Sequence, residues 1–279
     1  MSVKFIKTIL NPKEIPIKKP DNEYPKCEDF FKLPVMFYHT IGLDPYDSSR
    51  PEDKPGIMFH IYFLCHMINM LMVVFVIISF RNKENFLVCC IQMGCIGFIC
   101  AAVGKVVSVI SQKRKMTNLV KELESIFPRP MEKEHEEYDV KKYLKISNLY
   151  GKSFGSVYTI LVVINSMFAL IEYIILWLMH SPNAEQSMPY VEFAPWDYHD
   201  GWCFFLTYMS QAIAGYTATC GHISADLMIF AVTMQAIMHF DRLSRALTEF
   251  QFRSGDVGGA DEDLRRLQTL IAYHNRILG

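Results

Sequence analysis

GWCFFLTYMSQAIAGYTATCGHISADLMIFAVTMQAIMHFDRLSRALTEFQF, Gly201 to Phe252, is the stretch that decides the fold. Its first 25 residues, Gly201 to Ala225, carry no charge, which suits a membrane crossing of about 20 apolar residues. Asp226 interrupts, and Leu227 to Phe240 is again uncharged. Beyond it Asp241, Arg242, Arg245, Glu249 and Arg253 alternate with Leu243, Leu247, Phe250 and Phe252 at helical spacing. No proline falls between Cys203 and Phe252, and Gly215 and Gly221 are the only glycines there. One helix of about 50 residues runs roughly 75 Å at about 1.5 Å per residue. That is more than twice a hydrocarbon core of about 30 Å. The helix is therefore expected to cross a bilayer and continue well into water.

Three further spans are legible outward from it. Pro55 to Phe80 is uncharged, Phe86 to Gly104 is uncharged and followed by Lys105, and Ser153 to Ile171 continues apolar to Met179 around Glu172. The expected spans are about 57–80, 86–104, 153–179 and 201–225, in an all-α polytopic bundle. Gly94, Gly97, Ala101 and Ala102 suit close helix contact in the second span, as do Gly151 and Gly155 at the start of the third. His60, His66 and Asn69 are expensive in lipid and are expected to face other helices. Glu172 is either paired and functional or solvated at the interface.

The polar segments complete the division. Residues 1–55 form an N-terminal segment, in which Phe30 to Tyr38 is an amphipathic stretch that either lies on the membrane or anchors to the bundle. Residues 56–240 form the membrane bundle, and 241–279 an anchor segment and the start of a fifth helix. Pro128 and Pro130 break the segment from Lys113 to Lys152 into two helical parts. Ser254 to Ala260 reads as flexible, with Asp261 capping a last amphipathic helix through Leu278.

Charge sets the orientation. With the N-terminus inside, residues 1–54, 105–152 and 241–279 hold 26 of the 28 basic residues, and the outer loops hold only Arg81 and Lys83. The positive-inside rule therefore places the N-terminus in the cytoplasm.

Reactive chemistry has no foothold in the sequence. It contains no phosphate-binding glycine loop, GxSxG, HExxH or EF-hand pattern, and no pair of cysteines at metal spacing. A net charge of −1 excludes a polybasic nucleic-acid binder. Lys113-Arg114-Lys115 and His135-Glu136-Glu137 read as solvated helix faces. No enzyme, metal or cofactor is expected. An interior rich in Met, Phe and Tyr suits a small, mostly apolar ligand.

The chain resembles the insect odorant receptors over nearly its whole length, most specifically from Trp196 onward. The resemblance rests on Trp196, Gln211, Cys220-Gly-His-Ile-Ser-Ala-Asp226 leading into Leu227 to Phe230, His239-Phe240-Asp-Arg-Leu243, and Leu267 to Leu278 with His274. Gly42-Leu-Asp-Pro45 resembles a short family element, with Asp44 in place of an aromatic. The resemblance implies seven membrane helices and a ligand-gated cation channel, in which a tuning subunit joins a shared co-receptor in a tetramer of the plasma membrane. The seventh helix lines the pore, and the resemblance implies a chain truncated after its fourth span, near the start of the fifth helix, that lacks this pore helix.

The family holds odorant among the outer halves of its second, third, fourth and sixth helices. By depth, this implies Cys90, Met93 and Gly94 from the second span as ligand contacts. The third contributes Phe168, Glu172 and Tyr173, and the fourth Phe204, Tyr208 and Gln211. Trp196, Asp226, His239 and His274 are implied as structural anchors. The partners implied are a small volatile odorant, the co-receptor and membrane lipid. A gustatory receptor of the same superfamily, or a non-conducting four-helix protein that modulates receptor assembly, are the alternatives.

Overall fold

A computed structural model describes residues 24–46, 57–79, 86–180, 187–190, 194–198, 201–252 and 257–278. They are all-helical: α1 Glu28–Thr40, α2 Ile57–Ser79, α3 Phe86–Ser111, α4 Lys113–Ile126, α5 Glu132–Glu137, α6 Val140–Leu178, α7 Gly201–Thr248 and α8 Val257–Leu278. Four of these, α2, α3, α6 and α7, are long and apolar enough to cross a membrane. The connection at 81–85, and the residues before Tyr24, lie outside the described residues.

The long helix is the spine. α7 is continuous over 48 residues, about 72 Å at about 1.5 Å per residue, and α1, α2, α3, α6 and α8 all pack on it. Its small residues Ala214, Ala218 and Ala231 are almost fully buried, which lets neighbouring helices approach closely. At Gly221, an added Cβ would stand 3.1 Å from Val106 of α3 and 3.8 Å from the carbonyl of Ala102. That close α3–α7 contact is therefore made by Val106 and Ala102 with Gly221. Gly94 and Gly97 have open space where a Cβ would go, so they do not make the helix contact expected of them.

α1 is a buried anchor. Glu28 and Asp29 stand in its first turn, where acidic groups offset the partial positive charge of a helix N-terminus. The Asp29 carboxylate also accepts from the Lys26 N–H at 2.7 Å. Phe30, Phe31, Pro34 and Tyr38 are buried, and Phe30, Phe31 and Tyr38 join Val120 and Leu123 of α4 with Met228, Met234 and Met238 of α7 in the largest core cluster. The helix stops at Gly42, whose φ of +74° lets its N–H reach the His39 carbonyl while Leu43 N–H reaches Tyr38. Asp44 meets the His39 ring at 2.6 Å. The glycines Gly151 and Gly155 do serve a close contact, but with α1, since a Cβ there would meet Leu33 at 2.6 Å and Phe37 at 3.0 Å.

Three local expectations change. The helical ladder of α6 begins at Val140, well before Ser153, so the polar segment before Ser153 and the apolar span after it form one rod of 39 residues. α8 begins at Val257, so Asp261 lies inside the helix and is not its cap. His135 is buried rather than solvated, because its ring is wedged between Tyr24 and Phe127 at 5.1 and 6.1 Å between centroids.

Candidate ligand pocket

Between α3, α6 and α7 lies a cavity of about 370 Å³. α3 lines it with Gly94, Cys95, Phe98 and Ile99, α6 with Tyr158, Leu161, Val162 and Asn165, and α7 with Gly215 and Thr219. Its fourth wall is Tyr190, from the connection between α6 and α7. The surface is mainly aromatic and aliphatic, and the Asn165, Thr219 and Tyr190 side chains supply polar groups. Such a site recognises shape and dispersion first, with a few hydrogen bonds to orient the ligand.

Tyr190 is fixed from three directions. Its hydroxyl lies 2.7 Å from Ser166 Oγ, its backbone N–H donates to Gln211 Oε1 at 3.1 Å, and its ring lies flat against Gly215. A Cβ on Gly215 would come within 2.6 Å of that ring and hydroxyl. The glycine is therefore a requirement of the wall: only a residue without a side chain admits the ring. Gln211 is itself fully buried, and its amide lies 3.7 Å from Met72 Sδ of α2. Tyr208 donates its hydroxyl to the Ser166 carbonyl. The indole of Trp196 donates to Thr207 Oγ1 at 3.0 Å and packs near Met72 and Val76 with Tyr190. The α6–α7 connection is thus sewn to α7 at two points, Trp196 and Tyr190.

The nine expected ligand contacts divide by place. Gly94 lines the cavity. Gln211 and Tyr208 support it, through Tyr190 and through the Ser166 backbone. Phe204 and Tyr173 pack with Tyr208 in a neighbouring aromatic cluster, with centroids 5.7 Å apart for Phe204–Tyr208 and 6.4 Å for Tyr173–Phe204. Cys90, Met93, Phe168 and Glu172 are exposed on the outer surface of the described helices.

The anchor residues lie along the spine. Asp226 pairs with Lys105 of α3 at 2.6 Å. His239 is fully buried with Nδ1 2.7 Å from the Tyr273 hydroxyl of α8, and His274 sets its ring against Phe240. Of the polar groups in α2, His66 meets Thr217 at 2.9 Å and Asn69 donates to the Ser210 carbonyl, whereas His60 is exposed.

Comparison with known proteins gives this arrangement its family. The sequence pattern of the 7tm Odorant receptor family matches residues 85–279. The chain belongs to that odorant receptor family. Odorant receptor 67a of Drosophila melanogaster is 42% identical over 266 residues, covering 93% of this chain and 65% of that protein. Odorant receptor 85c of the same fly is 30% identical over 254 residues, covering 89% of this chain and 64% of that protein. The chain thus spans a little under two thirds of the length of these relatives. The solved structure of the insect olfactory receptor OR5 from Machilis hrabei in complex with eugenol shares the fold, with a TM-score of 0.58 and 13% identity over 90% of this chain and 64% of that one. Of the two sensory readings, the odorant receptor is the one matched.

For an odorant receptor chain, the residues that sequence reading missed are informative. Tyr190, Ser166, Phe98 and Tyr158 carry no motif, and depth along a span does not tell which side of a helix a residue occupies. Gly215 did carry a signal. It is one of two glycines in 50 residues of helix-forming sequence, and a helix tolerates that cost most readily where a neighbour must come close.

Proposed function

We propose that this chain is an odorant receptor subunit that holds a small, mostly apolar volatile in the cavity between α3, α6 and α7. With a shared co-receptor in the plasma membrane, it would gate a cation channel. One observation supports the binding step above the others: a cavity of about 370 Å³ closed by a tyrosine that only a glycine admits. That volume falls near the lower end of ligand pockets, about 300–1,000 Å³. Gly94 and the wall residues Phe98, Tyr158, Asn165 and Tyr190 make the contacts in this reading. Tyr208 and Gln211 hold the wall in place.

Gating follows if the ligand prefers one arrangement of the helices over another, since equal affinity for two states shifts nothing. Tyr190 is suited to report occupancy, because it touches the cavity, α6 and α7 together. The cytoplasmic N-terminus rests on the basic-residue count. The test is a panel of volatiles applied to cells expressing the chain with the co-receptor, alongside thermal melting of the purified chain. Expected is a subset of volatiles that raises the melting temperature and evokes current, with both effects weakened by Gly215→Leu. A chain that co-purifies with a full receptor but shows neither effect would instead be an assembly modulator.

A further inference from the structure

A second cavity lies between α2, α3 and α7, where Thr217 and Ala218 line it. It measures about 200 Å³, with Ile41 and Leu43 after α1 closing one end. Its lips are apolar yet exposed: Phe63 is 56% exposed, Met67 47%, Val107 56% and Ile110 48%. At this depth such a cleft faces hydrocarbon and not water. Val103, Val107 and Ile110 form one stripe along α3, and Arg114 follows in the first turn of α4. The α-helical ladder is interrupted at the junction with α4, where Gln112 has φ −108° and ψ 14°, although Gln112 N–H reaches Ser108 O and Met116 N–H reaches Gln112 O, each at 3.0 Å. Arg114 and Lys115 are exposed. They follow Ile110 by four and five residues, in the first turn of α4 just past the end of the cleft. Lys105 does not share this role, as it is held by Asp226 on the face toward α7.

We infer that this cleft is a binding site for an anionic phospholipid of the cytoplasmic leaflet. One acyl chain lies between Phe63, Met67, Val107 and Ile110, and the phosphate lies against Arg114 and Lys115. Two independent features support the same occupant: a laterally open apolar slot, and positive charge at the end of the slot where a lipid headgroup would emerge. Bound there, the lipid ties α2 to α3 beside the α1 turn, on the cytoplasmic side of the odorant cavity. The inference rests on the orientation proposed above, because anionic lipids and polybasic juxtamembrane segments meet in the cytoplasmic leaflet.

Native mass spectrometry of the purified chain, given equal amounts of phosphatidylserine and phosphatidylcholine with the same acyl chains, tests it. Expected is retention of one phosphatidylserine in preference to phosphatidylcholine by roughly tenfold or more, from two basic side chains. The double change R114Q/K115Q should bring the two lipids to parity while a lipid still binds. Val107→Trp, at an exposed lip position, should abolish retention of both. Equal retention by the unchanged chain, or an unaltered preference in R114Q/K115Q, would overturn the proposal. So would displacement of both lipids by a neutral volatile that then occupies the cleft alone. No odorant response enters this readout, so lipid retention with silent odorant assays would sink the proposed function and leave this site standing.

Discussion

Tyr190 and Gly215 show how a single pair can define a wall. Gly215→Ala places a methyl group within 2.6 Å of the Tyr190 ring, and the ring must leave. Its hydroxyl then loses Ser166, while Gln211 still holds its backbone. The fold should survive, because the displaced group belongs to a connection and not to the spine. We expect ligand dose–response to shift by about tenfold, equivalent to one lost contact of about 1.4 kcal/mol, with little change in melting temperature. A large fall in melting temperature without a shift in potency would refute the role given to the pair. His135 offers a residue-scale prediction of another kind. Burial holds its imidazole below the usual histidine range, a trend that Glu134 and the Arg129 and Pro128 backbone oppose. A folded pKa below the unfolded value of 6.5 means that the unfolded chain takes up the proton first. Stability should therefore be intact above about pH 6.5 and decline as pH falls below it. His135→Phe should flatten that decline in melting scans between pH 7 and 5; an unchanged slope would assign it to other groups.

At the scale of elements, the question is what fixes each helix to α7. Lys105 and Asp226 join α3 to the spine at 2.6 Å, each about a third or more exposed. A pair so placed is worth little by itself, about 0.2–1 kcal/mol in exposed settings, so its use is register. A double-mutant cycle with Lys105→Met and Asp226→Asn should give a coupling of roughly that size or slightly more. A coupling of zero would mean that Val106 and Ala102 against Gly221 set the register alone. α1 depends on packing instead. Phe31 is fully buried where α1, α4 and α7 meet, and Phe31→Ala should cost about 3–5 kcal/mol. The same change should raise reactivity of Cys27, whose buried thiol is pushed up to about 12 and contacts Gln235 at 3.1 Å, because a detached α1 exposes it. Thiol-reactive probes report this directly. Labelling as slow as in the unchanged chain would show that α1 stays docked without Phe31.

For the whole molecule, the element order was legible because membrane spans are long and uncharged, and because 48 residues without proline leave few alternatives to one helix. The faces were less legible. Periodicity separates polar from apolar sides in water, but in lipid both sides are apolar, so Phe168 and Phe204 look alike in sequence although one is 64% exposed and the other 9%. His135 was misread for the converse reason: its helix is hydrophilic, and only Tyr24 and Phe127 arriving from elsewhere bury it. The four spans, if all cross, place the start of α7 and the start of α3 at one surface, with α1, α4, α5 and α8 at the other. Cys203 lies three residues into α7 and is exposed. Arg114 lies at the start of α4, past the opposite end of α3. In intact cells, a membrane-impermeant maleimide should label Cys203 on a Cys90→Ser background and should fail to label a cysteine introduced as Arg114→Cys on a Cys90→Ser/Cys203→Ser background. Permeabilisation should restore labelling of the second. Labelling of Arg114→Cys from outside would invert the molecule. The proposed ligand cavity would then open toward the cytoplasm, and the basic residues at the start of α4 would face the leaflet that lacks anionic lipid. Both the ligand and the lipid reading depend on this one orientation, which the labelling of Arg114→Cys decides.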